Sequence, residues 1–440
     1  MERFIIEQSD QEFYTSKGGL ALVGACLNRF VNLESALKKS MPLRHGISHA
    51  DIIKSYIGLL CQGKSDFEAI AQHKKDDFFL KSLGIDKVPS VARLRQRMDE
   101  GAAVWTPMIQ CLSVEFLQKA GVTVTPLATG HAAIDMDVYS MDNSGTKKAG
   151  VSRTYMGYDG YAPIVAYLGE EGWCLETEFR EGSQHSQKNF PAFFERVIDK
   201  AKKLTKHPLL ARLDSAHDSV ENRVKAKALD VDFIIKWNPR QADPQEWFAR
   251  ASMEGQWEET RPGKRVSVFN VFEEPVVDGI AYCFRRVMRI TERTIDKAGQ
   301  GLLIPEITIE GWGTSLDLPE GKIIKLYEDH GTSEQFHSEF KTDLDMERLP
   351  SGKFETNALI MAMASFSYNI LRLIGQLGLV DKDSPVRHSA KRRRIKTVIQ
   401  ELIYTAARLV KSGRRLKLRF GCVCPAFSVF DRLYGSFAYG

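Results

Sequence analysis

Four acidic side chains occur where carboxylates at the end of a sheet could bind a metal ion. Asp135 and Asp137 lie in HAAIDMDVY, which alternates as a strand does, and Asp214 ends the apolar segment PLLARLD. Glu334 falls in the first turn of a predicted helix. Phosphodiester cleavage with Mg²⁺ needs several carboxylates around one point, because this ion prefers oxygen ligands. The acids therefore predict metal-dependent phosphoryl chemistry.

Each acid also has a simpler structural interpretation. Asp135 and Asp137 share one face of the strand, and Asp137 lies nearer its carboxyl end, where α/β sheets place ligands. We therefore expect Asp137 to be the ligand, with Asp135 as the alternative. Asp214 could instead cap the following helix. Glu334 and Lys341, seven positions later on the same helical face, could be a solvated pair.

The net charge of +5 is unevenly distributed along the chain. Between Lys382 and Arg419 there are thirteen lysines or arginines and two acids, so this segment carries +11 and the rest of the chain −6. Such a block is typical of a phosphate-binding surface, although a solvated tail is the alternative. Apolar residues at helical spacing, among them Ile395, Leu402 and Leu409, favour a folded basic helix.

The composition excludes several classes of protein. With 440 residues, 43% hydrophobic and 27% charged, the chain can form roughly two or three packed units. The N-terminal segment is too acidic for a signal peptide, and no window resembles a membrane helix. Seven scattered cysteines and ten histidines lack zinc-ligand spacing. We expect a cytoplasmic protein with reduced thiols and no membrane partner.

The predicted elements change in type along the chain. Residues 1–125 have helical patterns, one of them bearing three arginines (VARLRQRMDE), which indicates either a helix-turn-helix or a plain helical bundle. From about residue 130 the order βββαβαβ is that of the RNase H-like fold. Long aromatic and β-branched segments then predict a β-rich insertion.

The predicted fold class is therefore α/β, an RNase H-like mixed sheet flanked by helices. To it are added the β-rich insertion, an N-terminal helical domain and a basic helical C-terminus. The predicted boundaries are 1–125 for the helical DNA-binding domain, 126–239 and 322–385 for the two parts of the catalytic core, 240–321 for the insertion and 386–440 for the basic C-terminal region.

One motif and several other stretches resemble a known family. Tyr327, His330, Glu334 and Lys341 are separated by two, three and six residues, which resembles the Tyr-Arg-Glu-Lys signature of bacterial insertion-sequence DDE transposases. The segments YDGYAPIVAYL, ARLDSAHDS, ITIEGWGTSL and SFSYNIL are similar to the group-1 members of that family. The resemblance extends from about residue 130 to 420, and more faintly through the N-terminal helices.

This resemblance implies cut-and-paste DNA transposition. It makes Asp137, Asp214 and Glu334 the catalytic and metal-binding residues of a DNA-cleaving and strand-transfer enzyme, with Mg²⁺ as cofactor and Mn²⁺ able to substitute. The implied partners are double-stranded DNA, as terminal inverted repeats and target, and a second copy of the chain in a homodimeric synaptic complex. The expected DNA-contacting residues are Tyr327, His330, Lys341, Arg392, Arg393, Arg394, Arg414 and Arg415.

Two departures from the family pattern leave a second interpretation open. His330 stands where the signature has an always-charged, bidentate arginine, and Tyr139 stands where Thr or Ser is usual. The alternative is a catalytically inactive DNA-binding regulator derived from a transposase. A glycosidase built on an acid pair is a further alternative, but it does not account for the +11 segment or for Lys341 after Glu334.

Overall fold

The computed structural model describes residues 14–43, 45–296 and 298–439, except for the side chains of His330, Thr332 and Ser333. In chain order its helices are α1 (Leu20–Phe30), α2 (Leu33–Ser40), α3 (His49–Leu60), α4 (Asp77–Leu83), α5 (Val91–Lys119), α6 (Phe190–Leu204), α7 (Val220–Ala228), α8 (Pro244–Glu254), α9 (Glu320–Glu328), α10 (Thr332–Ser338), α11 (Phe354–Leu379), α12 (Ile395–Val398) and α13 (Phe427–Tyr439). Short 3₁₀ segments cover Phe67–His73, Ser215–His217 and Asp329–Gly331, and π-helical turns cover Glu339–Asp343 and Ile399–Ile403.

The strands, also in chain order, are β1 (Ala132–Val138), β2 (Met141–Asp142), β3 (Ser152–Arg153), β4 (Asp159–Tyr161), β5 (Ile164–Leu168), β6 (Trp173–Glu178), β7 (Leu209–Leu213), β8 (Asp232–Lys236), β9 (Gln256–Arg261), β10 (Lys264–Glu273), β11 (Val276–Val277), β12 (Ile280–Ala281), β13 (Phe284–Ile295), β14 (Gly301–Thr314), β15 (Ala407–Ser412) and β16 (Arg415–Phe420). The chain forms two compact units. Among the described residues, the helical unit comprises 14–43, 45–122, 141–151 and 338–439, and the sheet unit comprises 123–140, 152–296 and 298–337. Residues 1–13 of the predicted N-terminal domain lie outside the described residues.

The sheet unit is built on one mixed sheet. Its strand order is β6-β5-β1-β7-β8-β14-β13-β10-β9. Strand β1 is antiparallel to β5 and parallel to β7, and β7 is parallel to β8. Apart from the short strands β2 to β4, the elements from β1 to β8 follow the order βββαβαβ that the sequence predicts. The three parallel strands bring their carboxyl ends to one edge of the sheet, which is where ligands bind in α/β folds.

The predicted β-rich insertion continues this sheet. Helix α8 comes first, and strands β9, β10, β13 and β14 then add to the edge that β8 would otherwise expose. Strand β14 is antiparallel to β8, with Trp312 opposite Lys236 and Thr314 opposite Ile234. An edge strand has unpaired backbone groups, and the antiparallel addition satisfies them. The sequence pattern predicted strands at β10, β13 and β14, but neither β9 nor the sheet that these strands join.

Helix α6 illustrates how sequence pattern leads to packing in the sheet unit. Its buried side chains recur every three or four positions and are Phe190, Phe193, Phe194, Val197, Ile198 and Ala201. This apolar stripe packs against β6, while the lysines near the end of the helix remain toward solvent. Full burial of each large apolar side chain stabilises the fold by about 1.5–3 kcal/mol.

Helix α11 is the core of the helical unit. It packs along α5, and 21 of its 26 residues are buried. The amide of Asn369 donates to Ser113 Oγ at 3.0 Å, which links the two helices through buried polar groups. Among the described residues, α11 is the one helix that is by itself long and apolar enough to cross a membrane. From the sequence we expected no such helix. The most apolar window of α11 is 94% buried inside the protein, which accounts for its composition.

The basic C-terminal region is only partly helical, and the prediction of a folded basic helix with an apolar stripe through Leu409 is wrong beyond Ile403. The helical segment ends at Ile403, and β15 and β16 then form an antiparallel hairpin. Gly413 begins its two-residue turn at a φ of +61°, a conformation that favours glycine. The segment RLKLRF alternates with period two, which is a strand pattern. Because apolar residues at helical spacing continue from 395 to 410, the sequence does not show where the helical period ends and the strand period begins.

Candidate active site

Asp137 and Asp214 lie at the carboxyl ends of two adjacent parallel strands. Strands β1 and β7 pair in register up to Met136 and Leu213, so the next residue on each strand is one of the two aspartates. Neighbouring strands lie about 4.8 Å apart, so the main chain brings the two residues side by side. The same register places the pair Asp135 and Arg212 one layer below them on the same face of the sheet.

Both aspartates line one cleft of about 600 Å³. Its walls include the 153–155 segment, with Tyr155, and the 182–186 segment, with His185. The side chain of Asp137 is 26% exposed and that of Asp214 is 39% exposed. Two carboxylates in an open cleft at a sheet edge are therefore accessible to ions and to a large substrate.

Asp135, the alternative first acid, is buried in an ion pair. Its side chain is 4% exposed, and Nε and Nη2 of Arg212 donate to its two oxygens at 2.7 Å each. From Nη1, Arg212 also donates to the carbonyl of Leu326 at 3.0 Å, which ties α9 to the sheet. Asp135 is not among the residues that line the cleft. Its charge is balanced within the fold.

His217 orients the carboxylate of Asp214. The imidazole is fully buried, with its ring edge-on to Phe190 at 4.1 Å between centroids. Its Nδ1 lies 2.8 Å from Asp214 Oδ1. Because an ionised carboxylate can only accept, the ring must carry its proton on Nδ1 to make this bond. This contact fixes one oxygen of Asp214.

Asp137 is held by its own backbone and lies close to a second buried histidine. The amide of Val138 donates to Asp137 Oδ1 at 2.7 Å. Nε2 of His337, on α10, lies 3.4 Å from Asp137 Oδ2. The ring of His337 packs against Tyr139, with 4.8 Å between centroids. Tyr139, which departs from the Thr or Ser of the family pattern, therefore supports this histidine.

Tyr327 and Glu334 come from the two helices that follow β14. Burial raises the pKa of the Tyr327 phenol, and the charges of Asp214 and Asp137 raise it further, so the phenol remains protonated beside the acids. Glu334 lies in the first turn of α10 and is exposed. Within residues 14–43, 45–296 and 298–439 no group of three or more His, Cys, Asp or Glu side chains is positioned to hold a metal ion. Two of the three predicted acids thus lie together.

The other two signature positions, His330 and Lys341, do not lie beside the aspartates in any described contact. The side chain of His330 lies outside the described residues, and its backbone belongs to the 3₁₀ turn Asp329–Gly331. Lys341 lies in a π-helical turn, so the 3.6-residue period that predicted a shared face with Glu334 is not maintained. Its ammonium pairs with Glu347 at 2.9 Å.

Three of the arginines predicted to contact DNA are engaged within the helical unit. Arg392 pairs with buried Glu339 at 2.6 Å, and Arg394 pairs with Asp343 at 2.9 Å. Arg393 is itself buried and donates to main-chain carbonyls, one of them at 2.7 Å. These guanidinium groups already stabilise the chain that connects α11 to α12.

Arg414 and Arg415 lie at the tip of the β15–β16 hairpin and are exposed. Lys411 and Lys417 on the same hairpin are also exposed. The hairpin therefore presents several cations to solvent on a short, well-defined element. It is the part of the basic segment that is best placed to approach a phosphate backbone.

The sequence placed His217 near a strand end as a possible DNA contact, but it did not predict that His217 and His337 lie against the two aspartates. For His337 a signal existed, since it follows Glu334 by three positions and residues at that spacing share a helical face. For His217 the spacing to Asp214 is also three, but across a 3₁₀ turn that the sequence does not predict. Both contacts depend on how helices and loops pack at the sheet edge.

Comparison with known proteins places the chain in a family. No curated protein matches it. Among solved structures, the chain is similar to a piggyBac transposase in a synaptic complex with hairpin DNA, with 13% identity, coverage of 95% of this chain and 82% of that chain, and a TM-score of 0.42. Residues 6–438 match the family described as transposase DDE domain group 1. Because the match spans nearly the whole chain, this protein belongs to the group 1 transposase DDE domain family, whose members are DNA transposition enzymes that use divalent metal ions.

Proposed function

We propose that this protein is the cut-and-paste transposase of a bacterial insertion sequence, and that it cleaves the ends of its element and joins them to target DNA. The observation that carries the proposal is the position of Asp137 and Asp214 at the ends of adjacent parallel strands, in one open cleft. The strand order β6-β5-β1-β7-β8, with β1, β7 and β8 parallel, supports an RNase H-like catalytic core.

The residues at the cleft fit a divalent metal ion. Asp137 and Asp214 line the cleft and supply carboxylate oxygens. Glu334, on α10 and exposed, would complete the set. Glu334 lies three positions before His337, whose Nε2 is 3.4 Å from Asp137 Oδ2 with no hydrogen-bond partner among the described residues. Oxygen ligands favour Mg²⁺, with Mn²⁺ as a substitute. When bound, the metal would activate the attacking water or hydroxyl and stabilise the leaving oxygen.

The protein's own groups prepare this site before substrate binds. His217 holds one oxygen of Asp214, so that carboxylate presents a defined orientation to the cleft. Asp135 and Arg212 form a neutral pair in the layer below, so they do not add to the negative charge of the two aspartates. Tyr327 remains protonated and can donate to a phosphate oxygen beside them.

DNA contacts are proposed for the signature residues and for the hairpin. Tyr327, His330 and Lys341 would contact the phosphates next to the cleavage point, and Lys341 would exchange its present partner Glu347 for a phosphate. Arg414 and Arg415 would bind the backbone farther away. The bound DNA would be the terminal inverted repeats and then the target.

Synapsis of two element ends implies two copies of the chain, so a homodimer is expected on DNA. The proposed location is the bacterial cytoplasm, at the nucleoid. These expectations rest on the family and on the requirement that two ends be cut and joined together.

The proposal is tested by incubating the purified full-length protein with a duplex that carries its own element end. Cleavage should require Mg²⁺ or Mn²⁺ and leave a 3′ hydroxyl. Asp214→Ala and Glu334→Ala should each abolish cleavage and retain DNA binding. Asp199→Ala, on the exposed side of α6, is the matched acid-to-alanine control and should cleave as the wild type does. Full activity in either site variant would remove that residue from the metal site.

The alternative function is a DNA-binding regulator without turnover. It is favoured by His330, which replaces the signature arginine. It predicts that the wild-type protein binds element ends with the same affinity in Mg²⁺ or in chelator and cleaves in neither. Metal-dependent cleavage by the wild type would exclude it.

A further inference from the structure

His337 is a buried histidine without an ordinary structural role. Its side chain is 8% exposed, and neither Nδ1 nor Nε2 has a hydrogen-bond partner among the described residues. Buried polar groups are nearly always paired, so one that is not points to a missing partner such as an ion. The ring lies between Tyr139, at 4.8 Å, and Tyr167, at 5.4 Å between centroids. It is thus held in one orientation.

That orientation brings Nε2 of the imidazole to the carboxylate of Asp137, one of the two acids of the cleft. Nε2 lies 3.4 Å from Asp137 Oδ2 in a direction that does not form a hydrogen bond. Two ligands of one ion, each about 2.0–2.2 Å from it, are about 3.0–3.5 Å apart. The spacing therefore fits two atoms that bind the same cation from neighbouring positions.

The neighbouring helix carries a second ligand at suitable spacing. Glu334 and His337 are three positions apart on α10 and share a face of that helix. A Glu-x-x-His pair on one helix is a recurring source of two metal ligands in carboxylate metal proteins. His337 lies against Asp137 at the end of β1, and Glu334 is exposed one turn before it on the same helix.

We propose that His337 is a nitrogen ligand of the divalent metal in the cleft, bound together with Asp137. This inference rests on the proposed function and extends it, because a nitrogen donor changes the choice of metal. Imidazole suits transition metals, whereas Mg²⁺ and Ca²⁺ prefer sites made of oxygen alone. The site should accordingly bind Mn²⁺ in clear preference to Mg²⁺.

The experiment is pulsed electron paramagnetic resonance on the full-length protein loaded with Mn²⁺, without DNA. Electron spin echo envelope modulation should show one directly bound imidazole nitrogen in the wild type. His337→Gln should lose that signal and raise the Kd for Mn²⁺ about tenfold or more, with a smaller change for Mg²⁺. His185→Gln, at the exposed wall of the same cleft, is the matched control and should retain the nitrogen signal.

Two results would overturn the inference, and they separate it from the proposed function. If Mn²⁺ binds in a way that Asp137→Ala abolishes, but without nitrogen coupling, His337 is not a ligand and the proposed transposase still stands. If the nitrogen signal persists in His337→Gln, His337 is likewise not the ligand, and the proposed transposase still stands. If no Mn²⁺ binds and the wild type cleaves no element end, both the inference and the proposed function are wrong. The wild-type spectrum decides the point even if His337→Gln does not fold.

Discussion

Two neighbouring layers on one face of the sheet each contain an aspartate of β1, but that aspartate has a different partner in each layer. In the lower layer, Asp135 and Arg212 face each other across β1 and β7 and neutralise each other out of contact with solvent. In the upper layer, one step along the same strands, Asp137 and Asp214 open onto a cleft. An acid opposite a cation becomes a structural pair, and an acid opposite another acid needs a cation from outside.

The basic C-terminal region of the helical unit repeats this difference. Arg392 and Arg394 are paired with acids, and Arg393 with main-chain carbonyls. Arg414 and Arg415, at the hairpin tip, are exposed. Charges that the fold has paired contribute to stability, and charges left open are available to ligands.

The largest expected effect separates the two aspartates of β1. Asp137→Ala should reduce cleavage about a thousandfold or more, because the variant lacks several kcal/mol of metal-bound charge stabilisation. Its stability should change by less than about 1 kcal/mol, since the side chain is partly solvated. Asp135→Ala should instead reduce the free energy of unfolding by about 3–5 kcal/mol, because Arg212 remains buried without its partner. Cleavage rates and urea unfolding are measured for each variant. If Asp135→Ala abolished cleavage and Asp137→Ala reduced stability, Asp135 would be the metal ligand and Asp137 the structural residue.

The buried pair itself should show a large effect on stability. Arg212→Met leaves Asp135 buried and unpaired, and we expect the free energy of unfolding in urea to fall by about 3–5 kcal/mol. The double variant Asp135→Leu/Arg212→Met should recover most of that decrease, since apolar groups can replace a buried pair. Arg153→Met is the control, because its pair with Asp159 is exposed and is worth about 0–1 kcal/mol. An Arg212→Met protein as stable as the wild type would contradict the paired-layer interpretation.

A smaller effect is expected at the hairpin. Arg414→Gln/Arg415→Gln should weaken binding to element DNA and unrelated DNA alike. The slope of log K against log salt should fall by about 0.9 for each phosphate that the variant no longer neutralises. Lys38→Gln/Lys39→Gln, an exposed pair on α2, is the charge-matched control. Fluorescence anisotropy at several salt concentrations measures the slope.

If the Arg414→Gln/Arg415→Gln variant had an unchanged slope, the hairpin would be a solvated element. Charge reversal at Arg393 and Arg394 does not make an equivalent test, because it removes internal bonds and therefore changes stability as well as charge.

The smallest effect concerns His330. His330→Arg restores an always-charged phosphate donor, so cleavage near pH 8, where an ordinary histidine is neutral, should be unchanged or a few-fold faster. The wild type and the variant should differ less near pH 5.5, where an ordinary histidine is charged. Single-turnover cleavage rates at both values measure this. A large decrease in the variant's rate would mean that the site is adapted to histidine.

Prediction from sequence succeeded where a residue's role follows from its position along one element. The alternation of β1, the apolar strand before Asp214 and the order of the central strands could all be predicted, because each depends on local periodicity. It failed where two periods adjoin, as in the basic region, where a helical stripe runs directly into the β15–β16 hairpin. It also could not assign the later strands to the sheet, since that requires knowledge of which edge is open.

By itself the sequence determined the residue types, their spacing and the signature that indicates a DNA transposition enzyme. Only the tertiary structure decided which acid is paired and which is open. Asp135 and Asp137 share one face in the strand pattern, which favoured Asp137 only by its position nearer the carboxyl end. Their environments differ because Arg212 lies opposite Asp135 on β7, whereas Asp214 follows the end of β7 beside Asp137. The packing of α10 likewise brought His337 to Asp137. Charge partners across strands and helices lie far apart in the chain, so local pattern contains no information about them.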